Sequence, residues 1–136
     1  MNSGPAFLDT GIFIAFLDRS DRYHAAAVRL FAEPRRHWYS SLAVVGETYG
    51  WFLHRLGEEA ARTFRMALED FPRLELLAIN APVHKAIGPK LEHLRGHKLT
   101  YVDGSSLVLM ERLRIREVWG TDRDLALEGA RVVPVT

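Results

Sequence analysis

The chain has 136 residues, with 18 lysine and arginine against 17 aspartate and glutamate, a net charge of +1. That length suits one domain spanning residues 1–136, and 48% hydrophobic residues are enough for one packed core without cross-links. Cysteine is absent, which excludes disulfides, zinc–thiolate sites and thiol nucleophiles and fits a cytoplasmic protein; the balanced charge means that any polyanion site must be a local arrangement of arginine and lysine.

The opening residues Met1-Asn2-Ser3-Gly4-Pro5 carry neither a basic start nor a long apolar stretch, so no signal peptide is expected. No apolar run reaches membrane-spanning length, so no membrane partner is expected. No repeat or linker-like tract divides the chain. The apolar run Ala6-Phe7-Leu8 ends abruptly in Asp9, Thr10 and Gly11, as a buried strand does when it delivers a charge at its carboxyl end. In open α/β sheets ligands bind just beyond those ends. The plainer reading is that Asp9 caps the next helix.

Residues 12–17 read as a short apolar helix, interrupted by the polar segment 18–22. Residues 25–31 are rich in helix formers and are stopped by Pro34. A short strand at 37–39 is followed by Ser40 and Ser41, candidate helix caps. The helix predicted over 42–56 has an apolar stripe of Val45, Tyr49, Phe52 and Leu56. Glu47 falls nearly opposite that stripe, flanked by Gly46 and Gly50. Each helical glycine costs on the order of 1 kcal/mol relative to alanine, so a close backbone approach is expected there, with Glu47 in the crevice.

A further amphipathic helix is predicted over 58–71, a strand over 74–79, and a helix over 81–94 that contains Gly88-Pro89. Residues 105–113 read as a helix, 116–119 as a strand, 122–127 as a short helix and 132–135 as a last edge strand. Alternating strands and helices imply a layered α/β domain with a mainly parallel sheet.

Two more acids stand out. Asp103 precedes the helix at 105–113, and Asp122 and Asp124 follow the strand at 116–119. Thr100…Asp103 and Thr121…Asp124 also fit capping boxes, and a glutamate on a polar helix face is ordinarily a solvated residue. Parallel strand order would nevertheless gather Asp9, Glu47, Asp103 and Asp122 at one edge of the sheet. Carboxylates that close repel and take up protons unless a cation compensates them. Oxygen-only ligands suit Mg²⁺ or Mn²⁺, and such an ion can activate water and neutralise a phosphoryl group.

The blocks FLDTGIFIAFLDRSDRYH, SSLAVVGETY, LTYVDGSSLVLMERLRI and VWGTDRDLALEG, in that order and each with its acid, resemble the PIN domain, specifically VapC-type toxin ribonucleases. The resemblance covers residues 7–135. It implies a three-layer α/β/α fold with a small mainly parallel sheet flanked by helices. It also implies a Mg²⁺- or Mn²⁺-dependent endoribonuclease, the toxin of a type II toxin–antitoxin system, acting as a homodimer on RNA and neutralised by a cognate antitoxin. By position Asp9, Glu47, Asp103 and Asp122 match the family's four acids and Asp124 a less regular one. Thr10 and Ser106 match supporting hydroxyls. Asp9, Asp103 and Asp122 would hold one or two ions, with Glu47 ligating or orienting the attacking water. Gly104, Gly120 and Leu125 stand where such sequences more often carry alanine, an apolar residue and phenylalanine, a departure that bears on packing and removes no acid.

Rival readings fare less well. A Rossmann module lacks its glycine-rich phosphate loop. An aspartyl phosphatase lacks the second acid two residues after the first, where Gly11 stands. A scaffold that binds RNA or protein without cutting, or a housekeeping RNA-processing nuclease, is the remaining alternative. The six histidines, at 24, 37, 54, 84, 93 and 97, form no zinc motif and are read as surface or helix-end residues. Arg19, Arg22, Arg35, Arg36 and Lys98 could line an RNA path. Trp38, Tyr49 and Trp51 are read as packing residues before base-stacking ones.

Overall fold

The computed structural model describes residues 4–33 and 36–134. Pro34, Arg35 and Val135, on which a helix stop, an RNA contact and a strand end were expected, lie outside the described residues. Among the described residues no helix is long and apolar enough to cross a membrane.

Five strands form one sheet: β1 (Ala6–Leu8), β2 (Trp38–Ser41), β3 (Leu74–Leu77), β4 (Glu117–Trp119) and β5 (Arg131–Val133). Their order is β3-β2-β1-β4-β5 and every pairing is parallel, so the expectation of a mainly parallel sheet is met in full. The three residues of central β1 are all buried, because strands covered on both faces are apolar throughout rather than alternating.

Among the described residues six α-helices connect the strands: α1 (Thr10–Leu17), α2 (His24–Phe31), α3 (Leu42–Leu56), α4 (Glu58–Leu68), α5 (Ala81–His93) and α6 (Tyr101–Leu113). The chain steps from β1 outward to β2 and β3, then crosses back to β4 and on to β5. With right-handed crossovers this reversal distributes helices to both faces of the sheet. α1 packs on α2 and α3, α3 on α4, and α5 on α6. The core combines both faces of the sheet: Phe7, Phe13, Phe64, Val118 and Trp119 are among its fully buried side chains. Trp38 joins it in edge-on contact with Phe31 at 5.3 Å and Trp119 at 6.0 Å, which makes it a packing residue, as expected.

Several boundaries differ from the sequence reading for identifiable reasons. α6 starts at Tyr101, not at 105, because Thr100 and Asp103 close a complete capping box. α5 keeps Pro89 inside it and is opened by Asn80, whose side chain accepts from the Val83 amide at 3.0 Å. The buried residues of α3 are Val44, Thr48 and Phe52; of the predicted stripe Phe52 is buried and Val45 partly buried against the core. Tyr49 and Leu56 are exposed. With the stripe so placed, Glu47 lies beside the buried Thr48 and is half-buried.

The expected backbone approach at the α3 glycines is also corrected. A side chain added at Gly46 or Gly50 would meet nothing within 4 Å. Their helical cost is therefore not offset by packing within the chain, and Gly46→Ala is expected to raise stability by about 0.5–1 kcal/mol. A urea titration reads this directly, and a loss of stability would show that the position needs glycine after all.

Candidate active site

The order of the sheet creates its functional edge. Connections leave β1 toward one side and β4 toward the other, so a crevice opens beyond their carboxyl ends, the place where ligands bind in open α/β sheets. Asp9 directly follows β1, and its amide donates to the Trp119 carbonyl at the end of β4 at 2.9 Å. Asp122 follows β4 by three residues. α3 and α6 bring in Glu47 and Asp103.

Asp9 is 5% exposed. It stands at the N-cap position of α1, yet its side chain makes no capping hydrogen bond, which removes the plainer explanation for it. Its Oδ1 is buried without any hydrogen-bond partner. Burial pushes its carboxyl up to about 7, with the Thr10 amide opposing and Glu47, Asp103 and Asp122 each adding repulsion. The same three acids named from the sequence are thus those whose charge Asp9 feels. Asp122 is also raised, first by burial and then, against the Asp124 amide, by Asp103 and Asp124.

Each of the other acids is held by a local device. The Asp103 Oδ2 accepts from the Thr100 amide at 3.1 Å while the Thr100 hydroxyl accepts from the Asp103 amide at 3.0 Å. The capping reading is therefore correct for Asp103 and also compatible with a role in the crevice, since it fixes where the carboxylate sits. The capping box expected at Thr121…Asp124 does not form. Asp122 itself caps the 3₁₀ turn Arg123–Ala126, its Oδ1 accepting from the Asp124 amide at 2.9 Å. Glu47 is tied across the cleft: the Thr10 hydroxyl donates to its Oε1 at 2.5 Å. Ser106, one helical turn beyond Asp103, is fully buried, and its hydroxyl has no partner.

One member was not anticipated. The Thr48 hydroxyl lies 2.7 Å from the Val44 carbonyl, to which it donates, and 3.3 Å from the Thr10 hydroxyl, so it packs beside the hydroxyl that holds Glu47. Its signal was a polar residue adjoining Glu47 in the sequence, and it was obscured by the misplaced stripe. Two glycines make the crevice narrow. A side chain at Gly120 would bring its first carbon to 3.1 Å from the Asp9 Cβ, and one at Gly11 would stand 2.9 Å from the Thr121 backbone nitrogen. Gly120 thus departs from the family pattern by letting the turn after β4 close on Asp9. Gly104 similarly lets α6 approach Ile87 and Leu91 of α5.

The acids fit a hard divalent cation: four carboxyls share one crevice, one of them with an orphaned buried oxygen. Among the described residues no three acid or histidine side chains stand close enough to hold one ion jointly. Mg²⁺ and Mn²⁺, which retain several waters and need only one or two direct carboxylates, suit such spacing better than a caged ion does. Arg36 does not line an RNA path. It is 4% exposed and ion-paired with Glu117 at 2.8 Å. Arg19, Arg22 and Lys98 are exposed, Arg22 lying over the Tyr23 ring at 5.0 Å.

Comparison with known proteins agrees with this architecture. The family model for the PIN domain matches residues 6–128. No curated protein sequence matches the chain. Among solved structures, VapC20 of Mycobacterium tuberculosis, a sarcin–ricin loop cleaving toxin, is similar at 24% identity and a TM-score of 0.84, over 92% of this chain and 95% of that one. FitAcB from Neisseria gonorrhoeae is similar at 17% identity and a TM-score of 0.67, covering 93% and 95%. VapBC-1 from nontypeable Haemophilus influenzae is similar at 16% identity and a TM-score of 0.64, covering 94% and 96%.

Proposed function

This chain belongs to the PIN domain family, and from that premise we propose that it is a Mg²⁺- or Mn²⁺-dependent endoribonuclease, the toxin of a type II toxin–antitoxin pair. The observation that carries the reading is Asp9: a carboxyl with an orphaned oxygen at the switch point of the sheet, raised first by burial and then by three further acids. The similarity to VapC20, described as cleaving the sarcin–ricin loop, and to VapBC and FitAcB structures supports RNA as the substrate class and a cognate antitoxin as partner. We extend the same reading to a homodimer and to a cytoplasmic location.

Asp9, Asp103 and Asp122 would hold the cation between them, directly or through its retained waters, with Asp124 supporting Asp122 through its amide. A bound divalent cation supplies charge neutralisation at the phosphodiester and a more acidic water. Glu47 takes the proton of the attacking water as general base. The Thr10 hydroxyl, packed beside Thr48, orients that carboxylate through its bond to Oε1. Ser106 offers a buried hydroxyl on the Asp103 face of α6. Attack in line at phosphorus breaks the bond to the 3′ oxygen.

The test is RNA cleavage by the purified chain. Added Mg²⁺ or Mn²⁺ is expected to permit cleavage and to raise the melting temperature, because an ion bound only by the folded state stabilises it, by about 2.7 kcal/mol at a hundred times its Kd. EDTA is expected to stop cleavage. Cleavage that continues in EDTA, or none with either metal, would overturn the reading.

A further inference from the structure

A second, oppositely charged site lies at the other end of the sheet. A cavity of about 220 Å³ at the amino ends of β1, β4 and β5 is lined by Gly4, Pro5, Arg114, Arg116, Glu117 and Arg131. Among the described residues lining it the only acid is Glu117, and that carboxylate accepts from Arg36 at 2.8 Å and from the Trp119 indole at 2.7 Å. Arg114, Arg116 and Arg131 are exposed, and none of them joins an ion pair among the described residues. Three arginines thus line one cleft with no acid ion-paired to them among the described residues, and on a chain of net charge +1 this concentration is local, not a general basic surface.

The backbone positions them. The Arg131 amide donates to the Arg116 carbonyl at 2.8 Å, setting these residues on neighbouring strands. Arg116 also lies against the turn at Gly129, where an added side chain would meet its Nη2 at 3.3 Å. Arg114 ends α6 with φ 56°, a left-handed conformation that costs a non-glycine residue on the order of 1–2 kcal/mol. Glycine would be the cheaper residue at that position.

Arg114 and Arg116 also border a larger cavity of about 550 Å³ whose apolar wall is Leu107, Met110, Ile115, Leu125 and Ala130. That volume is in the range of small-ligand sites, which are apolar with a few convergent polar groups. Its two acids, Glu111 and Glu128, are both paired with Lys90, at 2.9 and 2.8 Å. Planar guanidinium forks match phosphate oxygens in pairs, and an apolar recess beside them would accept a ring. We propose that Arg114, Arg116 and Arg131 form a nucleotide-phosphate site, separate from the four acids, with the adjoining apolar cavity receiving the base. The phosphates could belong to a free nucleotide or to RNA, and the experiment separates the two.

Calorimetric titration of the full chain in EDTA keeps phosphates from binding through a metal at the acidic crevice. Pyrophosphate, ADP and a single-stranded oligoribonucleotide serve as probes. Pyrophosphate is expected to bind at one site, and ADP more tightly if the base enters the cavity. Arg116→Ala and Arg131→Ala should each weaken binding about tenfold, the loss of one charge-assisted contact. Arg116→Lys should recover part of it, and Lys85→Ala, at an exposed lysine elsewhere, should change nothing. ADP tighter than the oligoribonucleotide assigns the site to free nucleotide, and the reverse order assigns it to RNA. No binding at millimolar pyrophosphate, or binding indifferent to both arginine replacements, would overturn the proposal.

Discussion

An Asp9→Asn chain is expected to lose RNA cleavage by at least about a hundredfold, the lower end for removing a group that acts in the chemical step, while becoming more stable at pH 8 in EDTA. The two effects share one cause. Asp9 is buried, its Oδ1 has no partner, and its carboxyl is raised from 3.8 to about 7 by burial and by Glu47, Asp103 and Asp122. A carboxyl raised on folding makes the unfolded chain the better proton releaser. The stability associated with its neutral form is present below the unfolded value of 3.8, falls as pH rises toward 7, and is level above that. At about 1.36 kcal/mol per unit, the native chain without metal forgoes on the order of 4 kcal/mol at pH 8. Asparagine is isosteric and uncharged, so it escapes that cost.

The check compares melting of the two chains in EDTA at pH 4 and pH 8. Their difference should be near zero at pH 4 and should favour Asp9→Asn by several degrees at pH 8. With saturating Mn²⁺ the native chain should recover, because the ion compensates the charge that burial penalises. Equal melting at both pH values would show that Asp9 is solvated, and full cleavage by the variant would remove it from the site.

The largest loss of stability is expected at the opposite end of the sheet. Arg36 and Glu117 are 4% and 8% exposed and pair at 2.8 Å, with the Trp119 indole donating to the same Glu117 Oε2 at 2.7 Å. The Arg36 guanidinium lies over the Trp119 ring, 5.3 Å from its centroid. Glu117→Ala would take from the buried Arg36 its shorter ion pair, leaving the 3.4 Å one to Glu33, and from the Trp119 indole its acceptor, and breaking a buried pair in this way costs up to about 3–5 kcal/mol. Replacing both partners, as in Arg36→Met with Glu117→Leu, should restore much of it, because the desolvation of two charges is then no longer required. Urea unfolding of the single and double variants measures both. A single-variant loss under about 1 kcal/mol, the range of exposed pairs, would mean the pair is solvated.

Local sequence was a good guide wherever one short stretch decides its own conformation. The all-apolar β1 ending in Asp9, the Ser41 helix start and the alternation that makes the sheet parallel were all legible, because burial of a strand and capping of a helix depend on a few adjacent residues. The PIN resemblance carried the four acids by position. Where the reading slipped, the deciding contact came from elsewhere in the chain. The α3 stripe was right at Phe52 but wrong at Tyr49 and Leu56, which are exposed while Val44 and Thr48 are buried, a choice set by what α1 and α4 present to that helix. Gly46 and Gly50 were credited with a neighbour that is not there. Arg36 was read as an RNA contact because its partner Glu117 stands 81 positions away.

Sequence alone thus determined most of the elements and their alternation, because backbone propensity, capping and hydrophobic pattern act over a few residues. Only the tertiary structure decided that Asp9 is buried with an orphaned oxygen, that Thr10 holds Glu47 across the cleft, and that three arginines converge at the far edge of the sheet. Those are properties of charges brought together from distant positions, and their energies depend on separation and on water excluded around them, neither of which is written in the order of residues.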